Sequence, residues 1–150
     1  MTSADPPEAA GRIPRVVLAW GLAGLIPFLG LPVLALAAPG LEGLADRALG
    51  FYAAVILSFL GGARWGLEIR SERPDPGVIA LSMVPSVAAW VLIASPGLPI
   101  NTLQLPALAT ALVLSWLWDI RSEGPPPWFA RLRSLLTAGA VAGLAAGALS

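Results

Sequence analysis

Gly50–Arg70, GFYAAVILSFLGGARWGLEIR, is the stretch on which the reading of this chain turns. It carries no charge from Gly50 to Ala63 and then closes on Arg64, Glu68 and Arg70. Small residues recur at every fourth position: Gly50, Ala54, Ser58, Gly62 and Gly66. Residues four apart stack along one face of a helix, so these five make a smooth edge. In lipid, where apolar burial gives no drive to association, such an edge lets a second helix come close enough to gain dispersion contacts. The stretch reads as a central membrane helix, about residues 44–70, against which others dock.

Composition extends this reading to the whole chain. Of 150 residues, 57% are hydrophobic and 12% charged, against about 25% charged in an ordinary soluble domain. So little charge cannot clothe the surface of a small globule in water. There is no Cys and no His, which removes thiol nucleophiles, disulfides and most zinc and haem ligation. No metal or cofactor is expected. The formal net charge is zero, so a nucleic-acid surface is not indicated.

Four further runs accompany the central one. Residues 1–15 read as a mobile tail carrying Pro6, Pro7 and Gly11. Residues 16–38 are free of charge and long enough to span, with Pro27 expected to kink them. Two arginines before an apolar run resemble a signal peptide, but this run exceeds the usual length and is expected to remain as an anchor. Residues 71–77, SERPDPG, form a turn, and residues 78–95 a third crossing containing Pro85. The fourth crossing, about residues 104–119, is short for a bilayer. RSEGPPPW, residues 121–128, is a stiff loop. The last crossing, about residues 130–149, carries Gly139, Gly143 and Gly147, a doubled Gly-x-x-x-Gly edge. Residues 16–150 thus form one all-α domain of five membrane helices.

All nine basic residues are arginines, and they set the orientation. With the N-terminus inside and the C-terminus outside, eight lie on inner segments and only Arg47 on an outer one. This is the positive-inside pattern.

Two constellations carry possible chemistry. Arg64 and Glu68, four apart at the inner end of the central helix, are placed to pair in the headgroup layer. If Arg64 instead points inward, Asp119 at the inner end of the fourth helix could meet it together with Glu68. A guanidinium between carboxylates could latch helices, relay a proton or receive an anionic head group. The second constellation is aromatic and basic: Trp65, Trp118, Trp128, Arg131 and Arg133 suit an interface facing anionic lipid. Serines such as Ser58, Ser82 and Ser86 lack any histidine base, so they are expected to bond between helices rather than react. No catalytic residue is assigned.

Several segments together resemble a known family: Gly21–Phe28 (GLAGLIPF), Ile56–Gly66 (ILSFLGGARWG), Val84-Pro85-Ser86, Asp119, and Trp128-Phe129 followed by Leu132-Arg133. The chain is similar over roughly residues 18–140 to the bacterial and mitochondrial membrane proteins called domain of unknown function 3429. The resemblance implies a five-helix protein of the bacterial inner membrane and supplies no activity. In that family the place of Arg64 often holds His. Arg does not release its proton in a useful range, which weakens a relay. The expectation is a multi-pass accessory or assembly subunit of a membrane complex, with lipids and other membrane proteins, or a second copy of itself, as partners. The alternative is a small oligomeric transporter or channel with Arg64, Glu68 and Asp119 at its cytoplasmic mouth.

Overall fold

The structure, a computed structural model, describes residues 11–122 and 124–150. Most of the expected N-terminal tail, residues 1–10, lies outside the described residues. The described part is helical, without a strand, and holds five helices long and apolar enough to cross a membrane.

The first crossing is two helices, α1 (Arg15–Ala23) and α2 (Ile26–Ala37). The break falls at Gly24–Leu25, one turn before Pro27, rather than at Pro27 itself. The cause is local. Proline offers no N–H, and its ring collides with the carbonyl four residues back, here that of Ala23, the last residue of α1. The chain tightens there, Leu25 N–H turning to the Leu22 carbonyl at 3.0 Å. The Gly24 carbonyl is not left bare: the Tyr52 hydroxyl donates to it at 2.9 Å. Tyr52 also meets Phe28 edge-on, ring centres 5.1 Å apart.

The long helix α3 (Glu42–Glu68) touches α2, α5 and α6 as well as α4 (Pro76–Ala94). Asp75 starts α4: its Oδ1 accepts from Gly77 N–H at 2.7 Å, and Pro76 occupies the first turn. The closest approach of α3 to α4 is at Gly61, where a Cβ would stand 2.5 Å from the Ser82 carbonyl oxygen. Ser58 and Ser86 hydroxyls hydrogen-bond across the same seam at 3.0 Å.

The fourth crossing is longer than its sequence suggests. A π-helical turn, Ile100–Gln104, leads into α5 (Leu105–Arg121), making 22 continuous helical residues. Pro106 in the first turn of α5 explains the turn. It cannot bond the carbonyl four residues back, and widening the preceding turn relieves the contact. Accordingly Leu105 N–H reaches the Ile100 carbonyl, five residues back. The bilayer need not thin to accommodate it.

The last crossing is α6 (Phe129–Ala148). Its glycine edge faces into the bundle. A Cβ on Gly143 would fall on the carbonyl of Phe28, one on Gly139 would meet Leu25 at 2.7 Å, and one on Gly147 would meet Leu49 at 2.6 Å. Between the ends, Leu49, Ala53 and Leu57 of α3, Leu105 and Leu108 of α5 and Leu144 of α6 have no exposed surface. The outer faces carry Leu36, Val55, Phe59, Val87, Trp90 and Leu114, all exposed. An apolar exterior around a packed interior is what lipid as solvent dictates.

Candidate functional site

Three elements converge at the end of the bundle where α3 and α5 finish and α6 begins. Asp119 lies in the last turn of α5 and is 4% exposed. Its Oδ2 accepts from Arg133 Nε at 2.6 Å. Arg133, one turn into α6, is 6% exposed. Arg64 of α3 approaches from the other side, its Nε 3.9 Å from Asp119 Oδ1. The Arg64 guanidinium lies 4.8 Å from the centre of the Trp118 ring, a cation–π contact.

The carboxylate therefore stands between two guanidiniums, one bonded closely and one at arm's length. Formally the trio keeps one positive charge in excess. Four buried atoms in and beside it have no hydrogen-bond partner within the described residues: Arg64 Nε, Asp119 Oδ1, Arg133 Nη2 and, one turn further along α6, Thr137 Oγ1. Buried polar groups are ordinarily paired, so unmet atoms gathered at one place mark it out.

Arg64, Asp119 and Arg133 line a cavity of about 680 Å³. The other walls are apolar and come from Val16, Val17 and Trp20 of α1, Phe59, Leu60 and Ala63 of α3, and Leu132 and Leu136 of α6.

Of the two sequence readings of Arg64, the structure has the inward one, with Asp119, and not the headgroup pairing with Glu68. Glu68 is not in the cluster. It makes no ion pair with Arg64 among the described residues, and its Oε1 accepts the Asp75 N–H at 2.8 Å, tying the α3–α4 turn. Arg133, expected at the lipid interface, is buried against Asp119 instead. It sits fourteen residues beyond Asp119, and the antiparallel return of α6 carries it back beside α5. Trp65 and Arg131 are exposed, while Trp118 and Trp128 are half-buried. Trp128 stands edge-on to Phe129, ring centres 6.4 Å apart.

The small-residue edge of α3 divides. Gly50 is buried, where a Cβ would meet Ile100 at 3.3 Å and Ile93 at 3.4 Å. Ala54 and Ser58 are half-buried. A Cβ on Gly62 or Gly66 would find nothing within 4 Å, so these two do not hold the fold together. The α4 seam passes through Gly61, since 3.6 residues per turn rotates a strict four-residue repeat slowly away from its neighbour.

A second polar knot was missed. At the opposite end, Asp46 is 4% exposed. Its Oδ2 accepts from Asn101 Nδ2 at 2.9 Å and its Oδ1 from the Ser150 hydroxyl at 3.4 Å. Asn101 also donates to the Gly147 carbonyl at 3.2 Å, and Gln104 Nε2 donates to the Ser95 carbonyl at 3.3 Å. One signal could have found it: Asn101 and Gln104 are the only side-chain amides in the sequence, and both stand at the mouth of one crossing.

Comparison with known proteins gives the same architecture a family. The chain is 33% identical over 141 residues to transmembrane protein 69 of Xenopus tropicalis, covering 89% of this chain and 54% of that protein. It is 36% identical over 83 residues to transmembrane protein 69 of Mus musculus, covering 53% of this chain and 34% of that one. The chain thus spans about half, or less, of the length of these relatives. No solved structure matches. The family model described as protein of unknown function (DUF3429) matches residues 13–149, and the chain, an integral membrane protein, belongs to that family.

Proposed function

We propose that this chain is a non-enzymatic accessory or assembly subunit of a larger complex in a bacterial inner membrane. Its N-terminus lies in the cytoplasm and its C-terminus outside. The observation that carries the reading is the packed interior: Leu49, Leu57, Leu105, Leu108 and Leu144 are fully buried between the two polar ends. Such a body has mass, shape and lipid-facing surface to offer a partner. The orientation rests on eight arginines against one. Trp65, Trp128 and Arg131 then lie in the inner headgroup layer, with membrane lipids as their partners. The protein partners are other membrane proteins or a second copy of this chain. The experiment is extraction in a mild detergent followed by native electrophoresis and cross-linking. The expected result is one stoichiometric membrane partner whose own assembly falters when this chain is deleted. A lone monomer, with every membrane complex intact after deletion, would sink the reading.

One observation favours a second reading, a small transporter or channel: the cavity does reach Arg64, Asp119 and Arg133 from one side. That reading requires a solute flux in proteoliposomes that is lost in Asp119→Asn while the protein remains folded.

A further inference from the structure

We infer that the cavity between α1, α3 and α6 seats the phosphate of an anionic membrane phospholipid against Arg64 and Arg133. The walls and floor of this cavity differ sharply in chemistry. Val17, Trp20, Phe59 and Leu132 make its sides, and among the described residues the only charged groups lining it are Arg64, Asp119 and Arg133. Apolar sides over a charged floor match an amphiphile, not a free ion and not a neutral hydrocarbon.

The floor selects the sign of the head. Among the described residues, two guanidiniums against one carboxylate leave one positive charge to be met, and a buried unpaired cation is costly. Arg64 Nε and Arg133 Nη2 have no partner among the described residues; both atoms are buried, while the two arginine side chains line the cavity. Guanidinium donors match phosphate oxygens in geometry as well as charge. Asp119 Oδ1, also unmet, repels an anion and moderates the affinity. The volume, about 680 Å³, falls within the ordinary range for small-ligand sites of about 300–1,000 Å³. It holds a headgroup and the start of its chains, while the remaining chain length lies along the exposed Val16 and Trp20 face of α1. The site stands whether the protein is an accessory subunit or a transporter.

The test uses purified protein, stripped of lipid in a neutral detergent, with phosphatidylglycerol, phosphatidylcholine and inorganic phosphate as probes read by native mass spectrometry. Phosphatidylglycerol is expected to bind about tenfold more tightly than phosphatidylcholine, the scale of one charge-assisted hydrogen bond. Ala63→Phe adds a ring to the apolar lining while keeping Arg64, Asp119 and Arg133 themselves, and is expected to abolish that preference. Arg133→Gln is expected to do the same; should it fail to fold, the Ala63→Phe result decides. Equal binding of the two lipids would overturn the inference. So would inorganic phosphate competing at the concentration of the lipid, or an unchanged preference in Ala63→Phe.

Discussion

Removing the Asp119 carboxylate tests the charged trio most directly. Asp119→Asn leaves the shape almost intact but takes away the only counter-charge, among the described residues, paired with two guanidiniums, one bonded at 2.6 Å and one at 3.9 Å. Breaking a buried ion pair by deleting one partner costs about 3–5 kcal/mol, because the orphaned charge stays largely out of water. Here Asp119 and Arg133 side chains are 3% and 8% exposed, so the full range applies. Arg133→Met is expected to cost less, about 2–3 kcal/mol, since Arg64 stands close enough to swing onto the freed carboxylate. Replacing all three charges, as Arg64→Met, Asp119→Leu and Arg133→Met, is expected to return stability to within about 2 kcal/mol of the wild type, as apolar replacements of whole buried ion clusters do. The assay is reversible unfolding of the purified protein in mixed micelles by titration with sodium dodecyl sulfate, followed by tryptophan fluorescence. Costs that simply add across the single, double and triple variants, to within about 0.5 kcal/mol, would refute the coupling claimed for these residues.

Other expectations follow from single contacts. Gly143→Val drives a side chain into the Phe28 backbone and should cost about 1–3 kcal/mol in the same unfolding assay, whereas Gly62→Val should stay within about 0.5 kcal/mol. Asn101→Ala leaves buried Asp46 short of its 2.9 Å donor and should cost about 1–3 kcal/mol by thermal melting in detergent. Tyr52→Phe deprives the Gly24 carbonyl of its hydroxyl partner and should cost about 0.5–1.5 kcal/mol, with the α1–α2 break read by hydrogen exchange as more open.

The five crossings were legible because lipid imposes length and apolarity on every span, and both survive in a bare sequence. Gly143 was legible as a packing position for a similar reason: a doubled glycine edge has few other uses in a membrane helix. What could not be read was rotation. Gly61 and Gly62 differ by 100° about the helix axis, and only the place of Ser82 on α4 says which of them is needed. Arg133 was misplaced for the same reason, since positive-inside counting finds the right end of the bundle but not the face of the helix. The π-helical turn at Ile100–Gln104 was hidden because Pro106, read alone, ends a helix as readily as it widens one.

The arrival of α6 finishes both ends of the molecule at once. Arg133 reaches Asp119 at one end, and the Gly147 carbonyl receives Asn101 at the other. Without α6, Asp119 loses the Arg133 guanidinium and Asp46 loses the Ser150 hydroxyl that follows the helix. That one helix works as a keystone, since seating it completes the polar contacts at both faces of the bundle.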